Sequence, residues 1–268
     1  MTPEPRSVLF VPAVNARALE KARGLACDAV VIDLEDAVGP TGKDAARKAA
    51  LEALPAFEGR AAVRLNGPDT PWGAADLEAL KGSPASALVV PKTNGPGDVC
   101  WAAAAGLTVW AMIETLSGVL ELPAIAREPG LGALILGQND LAAEMGARPG
   151  PDRTPLHAAM SQVVMTARRH GLVALDGVYN AFQDAEGFEA ECRQGRAFGF
   201  HGKTLIHPAQ VASANAAFSP DADEIAWARA VVDAYADPAA AEAGVLRVNG
   251  QMVERLHLEQ ARRILARR

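Results

Sequence analysis

Eight short apolar runs, each followed by a stretch long enough for a helix, constrain this chain more than any other feature. The runs end near positions 11, 34, 65, 91, 113, 137, 175 and 206. Asp28-Ala29-Val30-Val31-Ile32-Asp33-Leu34 is apolar without a break instead of alternating, as expected of a parallel strand covered on both faces. Asn15 is placed to cap a first helix reaching Gly24, and Thr41 begins a second over Lys43 to Leu54. Further helices are expected around Ala74 to Leu80, Val99 to Ala105, Ser117 to Ala126, Leu156 to His170 and Ala185 to Phe198. A doubly wound open sheet rarely needs eight regular units and usually carries a Gly-rich first turn. The first turn here, Pro12-Ala13-Val14-Asn15, has no glycine. An α/β fold of the (β/α)8 TIM-barrel type fits better, since such barrels use about 250 residues.

After the eighth unit the pattern changes. A helix is expected near Asp223 to Tyr235, then two alternating runs across Asn249-Gly250, then a basic helix from about Leu256 to Arg268. Asn-Gly between such runs signals a tight hairpin. The expected organisation is therefore a catalytic barrel over residues 1–218 and a helix–hairpin–helix extension over 219–268. That extension is expected to pack on a neighbouring subunit or to cap the barrel mouth.

Bulk properties narrow the class of function. The 268 residues carry a formal charge of −6, which argues against nucleic acid or an anionic membrane as the main partner. No apolar run approaches the ~20 residues of a membrane span, and the start of the chain lacks a signal-peptide layout. Cys27, Cys100 and Cys192 are scattered and odd in number, as expected of reduced thiols in the cytoplasm.

Active sites of barrels lie at the carboxyl ends of the strands. Sorting polar residues by that rule collects Asp33, Glu35, Asp36, Arg64, Lys92, Glu114, Asp140, Asp176 and His207 at one face. Any one carboxylate here could equally cap a helix or sit solvated in a loop. One of Asp33 and Asp36 is expected to cap a helix or pair with Lys43 or Arg47. Lys92 and Asp176 read as structural or as supports behind the residues that touch the ligand, and His207 as a hydrogen-bonded loop residue. Glu114 and Asp140, at the ends of successive strands, read as a metal pair. Hard oxygen donors without a His or Cys cluster favour Mg²⁺ or Mn²⁺ over zinc.

The residues Arg6-Ser7-x-Leu9-Phe10-Val11-Pro12, Asp33-Leu34-Glu35-Asp36-Ala37-Val38, Val63-Arg64-x-Asn66, Ile113-Glu114-Thr115, Asp140-Leu141-Ala142, Asp176-Gly177-Val178-Tyr179 and Ile206-His207-Pro208-x-Gln210 resemble, in order, the citrate lyase β-subunit-like branch of the HpcH/HpaI aldolase family. The resemblance implies a Mg²⁺-dependent carbon–carbon lyase that cleaves or forms a 3-hydroxyacyl-CoA, such as malyl-, citramalyl- or citryl-CoA, with a 2-oxo acid as the other product. It implies Glu114 and Asp140 as metal ligands, Glu35 and Asp36 around the metal, and Arg64 on the substrate's oxygens. It implies coenzyme A contacts at Phe10, Arg17, Lys21, Thr204 and Leu205, and a homotrimer or hexamer. The family's acid in the hairpin is an aspartate; Glu254 stands at that position and is the implied catalytic acid. The alternatives are a thioester hydrolase, a CoA-independent 2-oxo-acid aldolase, and a non-catalytic subunit of a lyase complex.

Overall fold

A computed structural model describes residues 4–236 and 244–267. The chain divides into two compact units, Met1–Phe218 and Ser219–Arg268.

The first unit is a closed eight-stranded parallel barrel in sequential order. Its strands are β1 (Ser7–Pro12), β2 (Ala29–Asp33), β3 (Ala61–Arg64), β4 (Leu88–Val90), β5 (Val109–Ile113), β6 (Leu131–Leu136), β7 (Val173–Asp176) and β8 (Gly202–Leu205). Between and after them run α1 (Ala16–Arg23), α2 (Lys43–Ala53), α3 (Gly73–Leu80), α4 (Pro96–Ala103), α5 (Leu116–Leu120), α6 (Leu122–Ile125), α7 (Gln138–Glu144), α8 (His157–His170), α9 (Ala185–Phe198) and α10 (Val211–Phe218). The continuous apolar runs are explained by two cores. Val8, Val31, Ala62, Val89, Trp110, Met112, Ile135 and Leu175 fill the barrel, while Leu9, Ile32, Val63, Leu88, Ile113 and Leu134 face the helices. Alternate residues of one strand thus enter different apolar layers.

Asn15 caps α1 as expected, its side chain accepting from the Ala18 amide. The single helix expected over Ser117 to Ala126 is instead two short ones, α5 and α6. Pro123 is the reason: it has no N–H to give a continuous helix, and it sits in the first turn of α6.

The second unit contains α11 (Ala222–Tyr235), the antiparallel pair β9 (Val245–Val248) and β10 (Gln251–Glu254), and α12 (Arg255–Ala266). Asn249 and Gly250 both take positive φ, 50° and 80°, the geometry of a two-residue hairpin turn. Ala228, Val231, Tyr235, Val248, Val253 and Ala261 form its own small core. Among the described residues no helix is long and apolar enough to cross a membrane.

Candidate active site

The carboxyl ends of the strands open on a cavity of about 410 Å³. Phe10, Asp33, Asp36, Arg64, Met112, Glu114, Asp140, Asn139, Asn180 and Thr204 are among its walls. Seven of the eight strands or the loops that follow them supply lining residues, β4 being the exception.

The parallel register sets Asp33 beside Arg64. Arg64 grips both Asp33 carboxylate oxygens, Nε to Oδ1 at 2.7 Å and Nη2 to Oδ2 at 2.6 Å. Its Nη1 lies 3.0 Å from Glu35 Oε2, an ion-pair distance without hydrogen-bond alignment. The guanidinium carbon stands 5.1 Å from the centre of the Phe10 ring. Burial works against the Arg64 charge, but the hydrogen bonds and charge of Asp33 outweigh it and hold its pKa above the usual value.

Lys92 links this group to the next strand. Its Nζ donates to Glu35 Oε1 and lies 3.4 Å from Asp36, while its main-chain N–H donates to Glu114 Oε1 at 2.7 Å. The residue reaches both only by adopting φ 46°, a left-handed conformation unusual for a lysine. Burial raises the Glu35 pKa despite Arg64 and Lys92. It also works to raise Asp36, but there the charges of Lys92 and Arg64 win and the pKa falls. The sequence expectation for Lys43 and Arg47 is corrected. Lys43 Nζ donates to the carbonyls of Leu34 and Glu35, and Arg47 pairs with Asp76 and Asp44. The two acids find cations on neighbouring strand ends rather than on α2, because strand register brings those ends together.

Glu114 is 2% exposed. Burial, reinforced by the charge of Asp140, lifts its pKa to about 7 against the Lys92 amide and the nearby cations. Its carboxylate fits only because residue 137 is glycine: a Cβ there would stand 2.3 Å from Glu114 Oε2. Asp140 follows in the first turn of α7 and lines the same cavity.

Behind the β7–β8 wall lies a second ionic group that sequence reasoning only partly saw. Asp176 and Lys203 are cross-strand partners, with Lys203 Nζ 2.9 Å from Asp176 Oδ2 and 2.7 Å from Glu191 Oε1. Arg153, at φ 54°, adds bonds of 2.8 Å to Asp176 Oδ1 and to Gln138 Oε1. Asp176 is fully buried, yet Lys203 and Arg153 overcome the cost of burial and keep its pKa low. Asp176 packs against Gly195 of α9, and of this group Gln138 alone is among the cavity walls, so the rest brace the site from behind.

The residues expected to hold coenzyme A are not gathered in one place. Phe10 and Thr204 line the cavity. Arg17 and Lys21 are exposed on α1, one turn apart, and Leu205 is buried in the core toward the helices. Glu254 occupies the N-cap position of α12, and its own amide donates to His257 Nδ1 at 2.9 Å. His207 behaves as expected, accepting from the Ala209 amide and stacking on Phe182 at 4.7 Å.

A family model described as HpcH/HpaI aldolase/citrate lyase matches residues 6–208. A (3S)-malyl-CoA thioesterase from Cereibacter sphaeroides is 48% identical over 98% of this chain and 94% of its own length. Mitochondrial citramalyl-CoA lyase of Rattus norvegicus is 29% identical over 97% of this chain and 85% of its own. The crystal structure of CitE from Mycobacterium tuberculosis in complex with magnesium, acetoacetate and coenzyme A matches with a TM-score of 0.86 and 31% identity, covering 100% of this chain and 99% of that one.

These relatives overturn the expectation of a carbon–carbon lyase. The proteins described as (3S)-malyl-CoA thioesterase, which are hydrolases, are 45–48% identical over nearly the whole chain, while the lyase above is far more distant.

The donor set fits a magnesium ion. Among the described residues there is no cluster of three His, Cys, Asp or Glu side chains suited to a metal. The ion that tolerates one or two carboxylates and completes its shell with water is Mg²⁺. Glu114 is buried, pushed toward neutrality beside Asp140, and seated in a space opened by Gly137.

Proposed function

This chain belongs to the HpcH/HpaI aldolase/citrate lyase family, and on that premise we propose that it hydrolyses the thioester of a short, carboxylate-bearing 3-hydroxyacyl-CoA of the malyl-CoA type. The observation that carries the reading is the 48% identity, over 98% of the chain, to a (3S)-malyl-CoA thioesterase.

Glu114 and Asp140 would hold Mg²⁺, which when bound supplies a Lewis acid for the acyl group's oxygens. Lys92 fixes the Glu114 carboxylate through its amide, and Arg64 fixes Asp33 and the ring of Phe10 along the opposite wall. Asp36 lines the cavity and is kept ionised by Lys92 and Arg64, which suits it to take the proton of the attacking water. Arg17 and Lys21 give the exposed face of α1 two positive charges, suited to the phosphates of coenzyme A. The proposed hydrolysis does not draw on Glu254.

The test is incubation of the purified protein and Mg²⁺ with malyl-CoA, following free thiol and the acid products together. Thiol released in step with the free hydroxy acid, and abolished by Glu114→Gln or Asp140→Asn, supports the reading. Release of a 2-oxo acid with acetyl-CoA, or no release at all, overturns it.

A further inference from the structure

We propose that Arg153 is a positioning residue for the metal site, acting through Gln138 to fix the first turn of α7 and with it the Asp140 carboxylate. This inference rests on the metal-binding part of the reading above and adds two residues to it.

The two carboxylates of that site are held in different ways. Glu114 accepts from the Lys92 amide. Among the described residues none hydrogen-bonds the Asp140 carboxylate, so its place depends on the backbone of the turn that bears it. The buried anchor of that turn is Gln138, its first residue. Gln138 Oε1 accepts from Arg153 Nη1 at 2.8 Å, and Nε2 donates to the Val178 carbonyl and to Glu191 Oε1 at 3.3 Å. Partners of opposite kind at its two ends leave the amide one orientation, with oxygen toward the guanidinium and nitrogen toward the two acceptors. Asn139, the next residue, bonds to Asn180, but both are exposed and water competes for those bonds.

Arg153 occupies its place at a cost. Its backbone takes φ 54°, a left-handed conformation rare for a residue with a side chain, and among the described residues its buried Nη2 has no hydrogen-bond partner. Charge balance does not explain this. Lys203 already bonds both Asp176 and Glu191, and a lysine at 153 would supply the second positive charge. What a lysine lacks is the planar fork. Arg153 Nη1 lies 2.8 Å from both Asp176 Oδ1 and Gln138 Oε1, while Nε donates to Gln194 Oε1 at 2.8 Å. One rigid group therefore joins β7, α9 and the start of α7. Groups that hold metal ligands from behind in this way set how tightly the metal binds.

The experiment titrates Mg²⁺ calorimetrically into the full chain carrying Arg153→Lys, Gln138→Met or both, with thermal melts alongside. Arg153→Lys keeps the charge and removes the fork. Each single variant should bind Mg²⁺ about 10-fold more weakly than wild type. The double variant should bind no more weakly than the weaker single, because both changes cut the same line of contacts. Arg6→Met serves as the measure of lost stability: it breaks the two bonds from Arg6 to Asp28 at the amino ends of β1 and β2, far from the mouth, and should lower the melting temperature with Mg²⁺ affinity unchanged. Wild-type affinity in either single variant, or losses that add in the double, overturn the proposal and leave the metal reading intact. An equal loss in Arg6→Met also overturns it, since instability alone would then account for the effect. If Arg153→Lys does not fold, Gln138→Met decides by the same titration. A wild-type chain that binds no Mg²⁺, or Asp140→Asn with wild-type affinity, overturns the metal reading and this inference with it.

Discussion

The amide of Lys92 donates to Glu114 Oε1 at 2.7 Å from a backbone bent to φ 46°. One residue thereby ties β4 to the carboxylate at the end of β5, and its Nζ ties both to Glu35 on the loop after β2. Three strand ends are cross-braced by a single side chain and its own peptide group.

Replacing Lys92 separates its two contributions. Lys92→Gly keeps the N–H and relieves the left-handed strain, but leaves Glu35 with Arg64 as its remaining cation. Turnover should fall at least tenfold while Mg²⁺ affinity stays within about threefold of wild type, since the Glu114 tether persists. Isothermal titration beside steady-state kinetics measures both quantities.

Gly137→Ala tests the seat of Glu114. The new methyl would lie 2.3 Å from Glu114 Oε2 and must displace the carboxylate. Mg²⁺ affinity should drop by roughly 10–100-fold, the range for disturbing groups that hold metal ligands in place. Circular dichroism should still report a folded barrel.

The pH dependence follows from the raised pKa of Glu114, near 7 in the folded chain against 4.5 for an ordinary glutamate. Between those values the folded state holds a proton that the unfolded state has released, so stability without metal falls as pH rises through this window. The loss is complete above pH 7 and is of order 3 kcal/mol. Protons also compete with Mg²⁺ for the same oxygens, so affinity should weaken by up to tenfold for each pH unit below about 7. Denaturation at pH 5 and pH 8, with and without Mg²⁺, should show the metal cancelling the slope, and Glu114→Gln should remove it.

Lys203→Met tests the bracing group behind β7 and β8. It strips Asp176 and Glu191 of a fully buried partner. Breaking such a pair costs about 3–5 kcal/mol, which lowers the melting temperature by roughly 10 °C in a chain of this size.

Charge on α1 is tested by salt. If Arg17 and Lys21 attract the phosphates of coenzyme A, the double alanine variant should raise KM severalfold at low ionic strength. The difference from wild type should shrink as salt approaches 0.5 M, because screening removes the attraction in both. Equal KM values at low salt would remove these residues from the site.

The barrel was legible because its strands are covered on both faces and so appear as unbroken apolar runs. Glu114, Asp140 and Arg64 were legible for a related reason: a charge at the end of such a run points to the mouth. The position of Lys92 was not. It stood out as a strand-end cation, but its left-handed backbone leaves no mark where the residue is not glycine. Arg153 was missed altogether, since it lies in a polar loop and acquires meaning only through Asp176 and Gln138, both distant in sequence. Asn139 and Asn180 were invisible for the same reason, being ordinary polar residues until the closed sheet brings their side chains together. The division between hydrolase and lyase was not read from the motifs: the one departure noted, Glu254 in place of the family's aspartate, lies in the hairpin after the barrel and names no chemistry by itself.

The ring around the cavity has a consequence for the order in which ligands arrive. Among the described residues, the cavity walls and the ion pairs that join them set Asp33, Glu35, Asp36, Glu114 and Asp140 against Arg64 and Lys92. Even with Glu114 protonated the balance is negative, and an acyl-CoA brings more negative charge of its own. An anionic substrate entering first would meet a repelling mouth, whereas one entering after the cation meets a neutralised one. Addition should therefore be ordered, with the metal as the obligatory first guest and the thioester as the second.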